Sequence, residues 1–496
     1  MLRPTRACIF AACVLAGGAM GRVTSALAAG ADGPVAASQS PRGNGTFWAW
    51  CWSAPSARDR NLVPMVWVTP RTVPPGVLRR NFGVSGPAQR WVVSQAAPRA
   101  AAAASRKLPH GRVALFMSGA GSPLFRDPLD MCRTATGEAT HFPSPWLKAG
   151  ATRIGRRVAG FFRQYKADGG RLDFLVLDFE NTMQYNQVSR AQVRAIGKDP
   201  RSASLERHLG FSDLASIFHP GKNRRVWVEM MRQRVDNALR RAYFQPARSV
   251  FPGLHGSNYG DHIQGGNGEA LTPVPNINGR YQPQLAHFGN VQSPPMYGKI
   301  NLAAWKPIHG RAYRLSPFGV LRWHIMQLQA FHRASKMPIV PWVSYASYHA
   351  GDVPYPVFQN RYYEELIYQL ALRGVDQFLY WNPGPWDARH KGTTPRDNQV
   401  LDHCLAVLNA KFGPRPGRAL RTGPIRWTSR ILVAARMTSS RTILYRVTVA
   451  PGIPEIVEEP TGRRINIRGR AGLWVRAAAG HPLGFRLPAA RPSADR

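Results

Sequence analysis

From about Gly45 to Gly413 the sequence alternates short, continuous apolar runs with longer stretches whose apolar residues recur at helical spacing. Nothing else in the chain restricts its fold as much. Runs that are apolar at every position suit strands covered on both faces, and the intervening helices supply both the cover and the crossover between parallel strands. FWAWCW (Phe47 to Trp52) and VALFM (Val113 to Met117) are the first strand candidates. Ile154, Val158, Phe161, Phe162 and Tyr165 then mark one helix face, ended by Gly169-Gly170, and Phe174 to Phe179 follows as a strand. A second unit has Val228, Met231, Val235, Leu239 and Tyr243 on a helix, Pro246 as breaker and Ser249 to Gly253 as strand. A third runs from Phe318 to Ser335 and then Pro338 to Tyr345; a fourth from Phe358 to Leu372, broken at Gly374, and then Gln377 to Trp381. Asn398 to Phe412 makes a last helix.

This reading is α/β, a (β/α)8 barrel of the TIM type over residues 45–413, with the Gly/Pro/Asn-rich stretch from Asn258 to His309 as a long insertion. After Pro414-Arg415-Pro416 the pattern changes. Residues 414–424 read as a linker, and 425–490 as a small antiparallel β-sandwich built from runs such as TILYRVTV and LWVRA. Packing on the barrel is its expected role, ahead of carbohydrate binding.

Arg3 and Arg6, the apolar stretch from Ala7 to Met20 and the Ala26-Leu27-Ala28 triplet predict a signal peptide over residues 1–28, followed by a disordered linker over 29–44. The expected destination is periplasmic or extracellular, with no transmembrane segment. Cys51, Cys132 and Cys404 remain after cleavage, enough for one disulfide of open pairing and too few for a disulfide scaffold. No zinc spacing occurs, and His255 and His262 near Asp261 fit no standard metal site, so no metal or cofactor is implied.

Lys and Arg number 66 against 27 Asp and Glu, a formal net charge of +39, and Arg greatly outnumbers Lys. Either the composition follows a GC-rich genome, or the surface attracts a polyanion. An acidic polysaccharide ranks first among polyanions, because the Arg residues are dispersed and no nucleic-acid module is visible.

The segment LDFLVLDFENT concentrates the chemistry. Asp178 and Glu180 end an apolar strand, and residues two apart on a strand share a face. Their carboxylates would sit about 6–7 Å apart along the chain. Neighbouring carboxylates raise one pKa, which keeps a proton available near neutrality. The two acids suit one proton donor beside one orienting group better than the opposed pair of an ordinary glycosidase.

An aliphatic strand ending in Asp-x-Glu resembles the hyaluronidase family of glycoside hydrolases and, more distantly, the chitinases, whose strand carries D-x-x-D-x-D-x-E. Here Asp173, Val176, Asp178 and Glu180 occupy that register, so one Asp of the chitinase pattern is replaced by Val176. Other segments agree in order: FWAWCWSAP resembles the hyaluronidase first strand, VALFMSGAGSPL an early strand and loop, and VFPGLHGSNYGD the fifth. SPPMYG resembles the sixth, which supplies a site Tyr, while PIVPWVSYASY and GVDQFLYWNP resemble the seventh and eighth. The likeness covers about Phe47 to Pro383.

What the resemblance implies is hydrolysis of an N-acetylated polysaccharide, acidic or neutral, by substrate-assisted catalysis. Glu180 acts as general acid and base, and Asp178 holds the acetamido group. Tyr297 and Tyr259 bond to that group or to the reacting carbon, and Trp381 floors the sugar. Trp342, Tyr345 and Asn382 are further strand-end candidates for substrate binding. Two alternatives stay open: a two-carboxylate glycosidase using Glu180 with a distant acid such as Asp376, and an inert glycan-binding or envelope protein on the same fold.

Overall fold

The structure, a computed structural model, describes residues 47–56, 58–70, 91–108, 111–118, 124, 127–177, 190–210, 214–218, 222–258, 288–297, 316–344, 360–383, 393–426 and 428–488. The expected leader over 1–28 and linker over 29–44 lie outside the described residues. The first region contains β1 (Trp48–Cys51), β2 (Leu62–Pro64), β3 (Val66–Thr69), β4 (Val92–Ser94) and β5 (Ala114–Met117). The antiparallel pair β6 (Met131–Arg133) and β7 (Ala139–Pro143) follows, then β8 (Phe174–Leu177), β9 (His255–Asn258), β10 (Pro295–Tyr297), β11 (Trp342–Ser344) and β12 (Gln377–Tyr380). The helices between and after them are α1 (Pro98–Arg106), α2 (Lys148–Ala167), α3 (Arg190–Lys198), α4 (Ser202–Leu209), α5 (Lys222–Leu239), α6 (Gln245–Val250), α7 (Pro317–Ala334), α8 (Asn360–Leu372) and α9 (Pro395–Phe412).

Apart from β6 and β7, these strands form two five-stranded parallel sheets, ordered β10-β11-β12-β1-β2 and β4-β3-β5-β8-β9. Residues 62–69 link the two. Leu62–Pro64 pairs with β1, the Met65 N–H still donates to the Cys51 carbonyl at 3.0 Å, and Val66–Thr69 turns to β5. On the far side Asn290 ties β9 to the segment ahead of β10. Its Oδ1 accepts from the Gly256 N–H at 2.9 Å and its Nδ2 donates to the Leu254 carbonyl at 3.1 Å. Gly289 is required at this crossing, since a Cβ there would collide with the Gly256 carbonyl. Two residues on, Gln292 exchanges backbone bonds with Pro338 and Val340 beside β11.

Strands β1, β2, β3, β5 and β8 are buried along their whole length, as their nearly uninterrupted apolar sequences require. Trp48, Trp50 and Trp52 belong to one core, while Phe47, Ala49 and Cys51 between them belong to another, packed against α7, α8 and α9. The same alternation separates Trp342 from Val343 on β11, and Leu379 from Phe378 and Tyr380 on β12. The first core is strongly aromatic. Trp50 meets Phe174 at 5.0 Å between ring centroids, and Trp52 meets Trp67 at 4.2 Å and Phe116 at 4.8 Å. Trp67 Nε1 finds its buried partner in the Trp52 carbonyl at 3.0 Å.

Two expectations need correction, and one segment went unread. Pro246 does not break its helix, and residues 249–253 are not a strand. A π-turn over Arg240–Phe244 leads into α6, placing Pro246 in the first turn, where its missing N–H costs nothing, and the strand starts at His255. The segment Leu62–Thr69 forms two strands although its interior proline hid it from the sequence pattern. Cys51, Cys132 and Cys404 are buried and form no disulfide. Cys132 lies in the first core and the other two in the second, and burial pushes all three thiols up, Cys132 to about 12.

The N-terminus of α2 yields a pH prediction. The Asp130 carboxylate accepts from the Gly150 N–H at 2.7 Å, satisfying one of the free donors of the first turn. Burial nevertheless pushes this carboxyl up, to about 6. With the folded value above the unfolded one, the protonated acid is the stabilising form. Stability should therefore fall as pH rises from about 4 to about 6. Denaturant melts across this range should show that slope in the wild type and a flatter one in Asp130→Asn. The difference isolates Asp130 from His332, which burial pushes down to about 4 and which acts in the opposite sense.

After α9 the chain forms β13 (Ala419–Leu420), β14 (Ile431–Met437), β15 (Thr442–Val449), β16 (Glu455–Glu459), β17 (Arg464–Asn466), β18 (Gly472–Ala478) and β19 (Gly484–Arg486). They make antiparallel sheets of order β13-β14-β15-β18 and β17-β16-β19, sharing a core of Tyr445, Val447, Ile456 and Ile467. The larger sheet lies on α8. Glu365 of that helix pairs with Arg446 of β15, whose guanidinium also lies 4.9 Å from the Tyr368 ring and 5.1 Å from Trp474. Gly472 gives Glu365 its space, because a Cβ there would strike the carboxylate. No helix among the described residues is long and apolar enough to cross a membrane.

Candidate active site

The parallel strands end in register. Met117, Leu177 and Asn258 are level in one sheet; Cys51, Val343 and Tyr380 are level in the other. Small polar residues cluster at these ends: Thr69, Ser118, Ser257, Asn258 and Ser344 are all buried. Thr69 Oγ1 donates to the Val93 carbonyl at 3.0 Å, and the Ser118 N–H to the Val68 carbonyl at 3.0 Å. None of the five was a site candidate from sequence, although Thr69, Asn258 and Ser344 end short strands and Ser118 follows one, the signal that would have found them. Immediately beneath them lie Trp52, Trp67, Phe116 and Trp342 of the aromatic core.

On β8, Phe174 faces this core through Trp50, and Val176, two residues on, is fully buried in the same cluster. Asp178 and Glu180 follow β8 in the sequence and lie outside the described residues, as do Tyr259 and Tyr345. Tyr297 ends β10 in register with Ser344.

Three of the expected residues are placed. Trp381 follows β12, half-buried against the aromatic core, its N–H donating to the Val343 carbonyl at 2.9 Å. Trp342 is completely buried, 6.3 Å from Trp52 between ring centroids, so it supports the layer above it and offers no open face to a ligand. Asn382 is a clasp. Its Oδ1 accepts from the Ser53 N–H at 2.9 Å, and its Nδ2 donates to the Ser53 carbonyl at 3.2 Å and to Asn398 Oδ1 at 3.3 Å. It joins the end of β1 to α9 and has its hydrogen-bonding capacity taken up within the fold.

Two acids from the sequence reading sit at the opposite end of the strands. Asp173 precedes β8 and accepts from the Val113 N–H at 2.7 Å; burial raises its pKa. Asp376 precedes β12 and pairs with Arg436 of β14 at 2.6 Å. Glu180 follows the C-terminal end of β8 in the sequence, whereas Asp376 sits ahead of β12, so Asp376 lends the two-carboxylate alternative no support. His255 opens β9, also away from the strand C-termini, and burial beside Arg248 lowers its pKa. Its supposed metal partners His262 and Asp261 lie outside the described residues.

No family profile matches this sequence. No curated protein matches it either. Among solved structures it is similar to a β-galactosidase from the psychrophilic Marinomonas ef1, at 10% identity and a TM-score of 0.39 over 74% of this chain and 59% of that one. The chain thus spans less than two thirds of that enzyme's length. It is also similar to a β-L-arabinopyranosidase from Geobacillus stearothermophilus (9% identity, TM-score 0.37, 91% of this chain and 98% of that one). A family 30 glycoside hydrolase, a xylanase from Clostridium acetobutylicum, gives 12% identity and a TM-score of 0.33 over 90% and 95% of the two chains. Likeness this remote assigns no activity.

Proposed function

We propose that the chain is an exported glycoside hydrolase that cleaves an N-acetylated, acidic polysaccharide at the C-terminal ends of a closed (β/α)8 barrel. The observation that carries this reading is the position of β8. Phe174 lies against Trp50 in the aromatic core, and the sequence brings Asp178 and Glu180 immediately after the C-terminal end of that strand, where residues two apart on a strand would share a face. The fold reading rests on parallel strands that follow one another in order through β1, β2, β3, β5, β8 and β9, and through β10, β11, β12 back to β1. Such barrels place catalysis on the strand C-termini. Residues 45–413 form the catalytic unit in this proposal, 414–424 a linker and 425–490 a β-sandwich, preceded by the leader over 1–28.

Glu180 protonates the leaving glycosidic oxygen and then takes a proton from the incoming water. Asp178 orients and charges the acetamido group, whose carbonyl oxygen attacks the anomeric carbon. That route belongs to the substrate-assisted exceptions among glycosidases. Tyr297 and Tyr259 hydrogen-bond the acetamido group, Tyr345 adds a polar edge, and half-buried Trp381 gives the sugar an apolar surface.

Purified protein incubated with hyaluronan, with chitin and with peptidoglycan fragments tests the reading; release of new reducing ends from any of them supports it. If the basic surface serves an acidic substrate, turnover should drop steeply as salt shortens the Debye length from about 10 Å at 0.1 M to about 3 Å at 1 M. Equal turnover of a neutral glycan at both salt concentrations would remove the acidic substrate from the proposal. A second reading, an inert glycan-binding protein, is favoured by one residue: Val176, fully buried, stands where the chitinase pattern has an acid. Binding of these glycans without cleavage would establish it.

A further inference from the structure

Away from the strand ends, a cleft of about 250 Å³ opens between the start of α2 and the end of α5. Its walls are Pro145, Trp146 and Leu147 on one side and Arg234, Asn237 and Arg241 on the other, with Lys148 at the edge. Among the described residues three cations line it and no carboxylate does. Arg234 is half-buried and donates to the Pro145 carbonyl at 3.0 Å, and desolvation alone lowers its pKa. Lys148 and Arg241 are exposed. Three acids of the surrounding segments are engaged elsewhere. Asp130 caps the Gly150 N–H, Asp127 pairs with Arg153 at 2.6 Å, and Asp199 with Arg201 at 2.6 Å.

The walls are fixed by the fold. Gly155 lets α2 approach the π-turn so closely that a Cβ there would lie 2.6 Å from the Arg241 carbonyl oxygen. π-turns inside helices frequently accompany functional sites. Arg201 lies over the Trp146 ring at 4.2 Å, holding the indole where it lines the cleft.

We propose that this cleft is a second glycan site, binding the anionic group of an acidic sugar on Arg234, Arg241 and Lys148 while the sugar ring lies against Trp146. A half-buried guanidinium beside two exposed cations, in a cleft that no carboxylate lines among the described residues, suits a carboxylate or sulfate bound by charge-assisted hydrogen bonds. An aromatic wall beside them suits the apolar face of a pyranose. The ligand class is taken from the glycan reading above, but the site does not depend on catalysis at Glu180.

The test is calorimetric titration of the full chain carrying Glu180→Gln, so that nothing is cleaved. The ligands are a hyaluronan oligosaccharide, its carboxyl-reduced neutral counterpart, a sulfated chondroitin oligosaccharide and a single-stranded oligonucleotide. Arg241→Ala with Lys148→Ala removes two exposed cations at little risk to folding, and Arg234→Met keeps the packing of the third. Each change should weaken binding of an acidic glycan by about tenfold or more, the scale of a charged hydrogen bond, and leave the neutral counterpart unaffected. The hyaluronan and chondroitin arms identify which anion is preferred. Unchanged affinity in both variants, an equal loss for the neutral ligand, or oligonucleotide binding as strong as glycan binding would each overturn the site. So would a wild-type cleft that binds none of the four. Should hydrolysis prove absent while the cation variants still lose acidic-glycan binding, the catalytic reading fails and this site stands.

Discussion

Glu180→Gln is expected to lower turnover of an N-acetylated polysaccharide by about 10²–10⁴-fold while substrate binding persists, because general acid–base catalysis is typically worth that much. Gln keeps the shape of the side chain and removes only the transferable proton. Asp178→Asn should also slow the reaction, by removing the charge that supports the cyclised acetamido group. The two losses should not multiply in the double variant, since both residues serve one step. The substrate supplies the sharper control. If its acetamido oxygen is the nucleophile, removing the N-acetyl group should abolish turnover by the wild type. Undiminished cleavage of a de-acetylated chain would sink substrate assistance and leave a nucleophile to be found. Asp376 gains no support as that nucleophile, because it sits ahead of β12 in an ion pair with Arg436.

The parts of the fold that sequence revealed are those where one period dominates. FWAWCW, VALFM and FLVL are apolar at nearly every position and became β1, β5 and β8. The α2 face of Ile154, Val158, Phe161, Phe162 and Tyr165 is buried throughout. The failures have local physical causes. LVPMVWVT drew no strand reading because a proline interrupts it, yet Pro64 sits at the end of β2, where the chain leaves β1 for β5 and no donor is needed from it. Pro246 signals a helix end unless a π-turn precedes it, and periodicity carries no signal for a π-turn. At the candidate site, Asn382 and Trp342 looked like ligand contacts because both fall at strand ends. Only the packing shows that one clasps Ser53 and Asn398 and the other is closed over by Trp52. The small residues Thr69, Ser118, Ser257 and Ser344 went unnoticed because a Ser or Thr after an apolar run reads as the start of a loop.

Breaking the Glu365–Arg446 pair is expected to cause the largest stability loss of any single surface-distant substitution. The carboxylate is nearly inaccessible and the guanidinium almost so, at 2% and 10% side-chain exposure. Arg446 Nε reaches Glu365 Oε2 at 2.9 Å, and the Thr448 hydroxyl donates to the same oxygen at 2.6 Å. Gln369, one turn along α8, completes the network with donations to the Leu432 and Arg446 carbonyls at 3.2 and 3.1 Å. Removing one partner leaves a buried charge with too few bonds, which typically costs about 3–5 kcal/mol, against a total stability of roughly 5–15 kcal/mol for a protein domain. Arg446→Ala should therefore lower the denaturation midpoint sharply and expose the β14–β15 sheet to protease at temperatures the wild type tolerates. Arg446→Met with Glu365→Leu removes both charges and keeps the volume, so it should recover most of the loss, since a buried ion pair seldom outperforms well-packed apolar side chains. The same contact bears on the candidate site. The pair anchors α8, which leads through Gly374 directly into β12 and Trp381. Arg446→Ala should raise KM before it abolishes turnover, as the wall carrying Trp381 loosens, and the double variant should restore KM along with stability. A single variant within about 1 kcal/mol of wild type, the range of exposed ion pairs, would show that water reaches this network and that the C-terminal sheet does not brace the strand end.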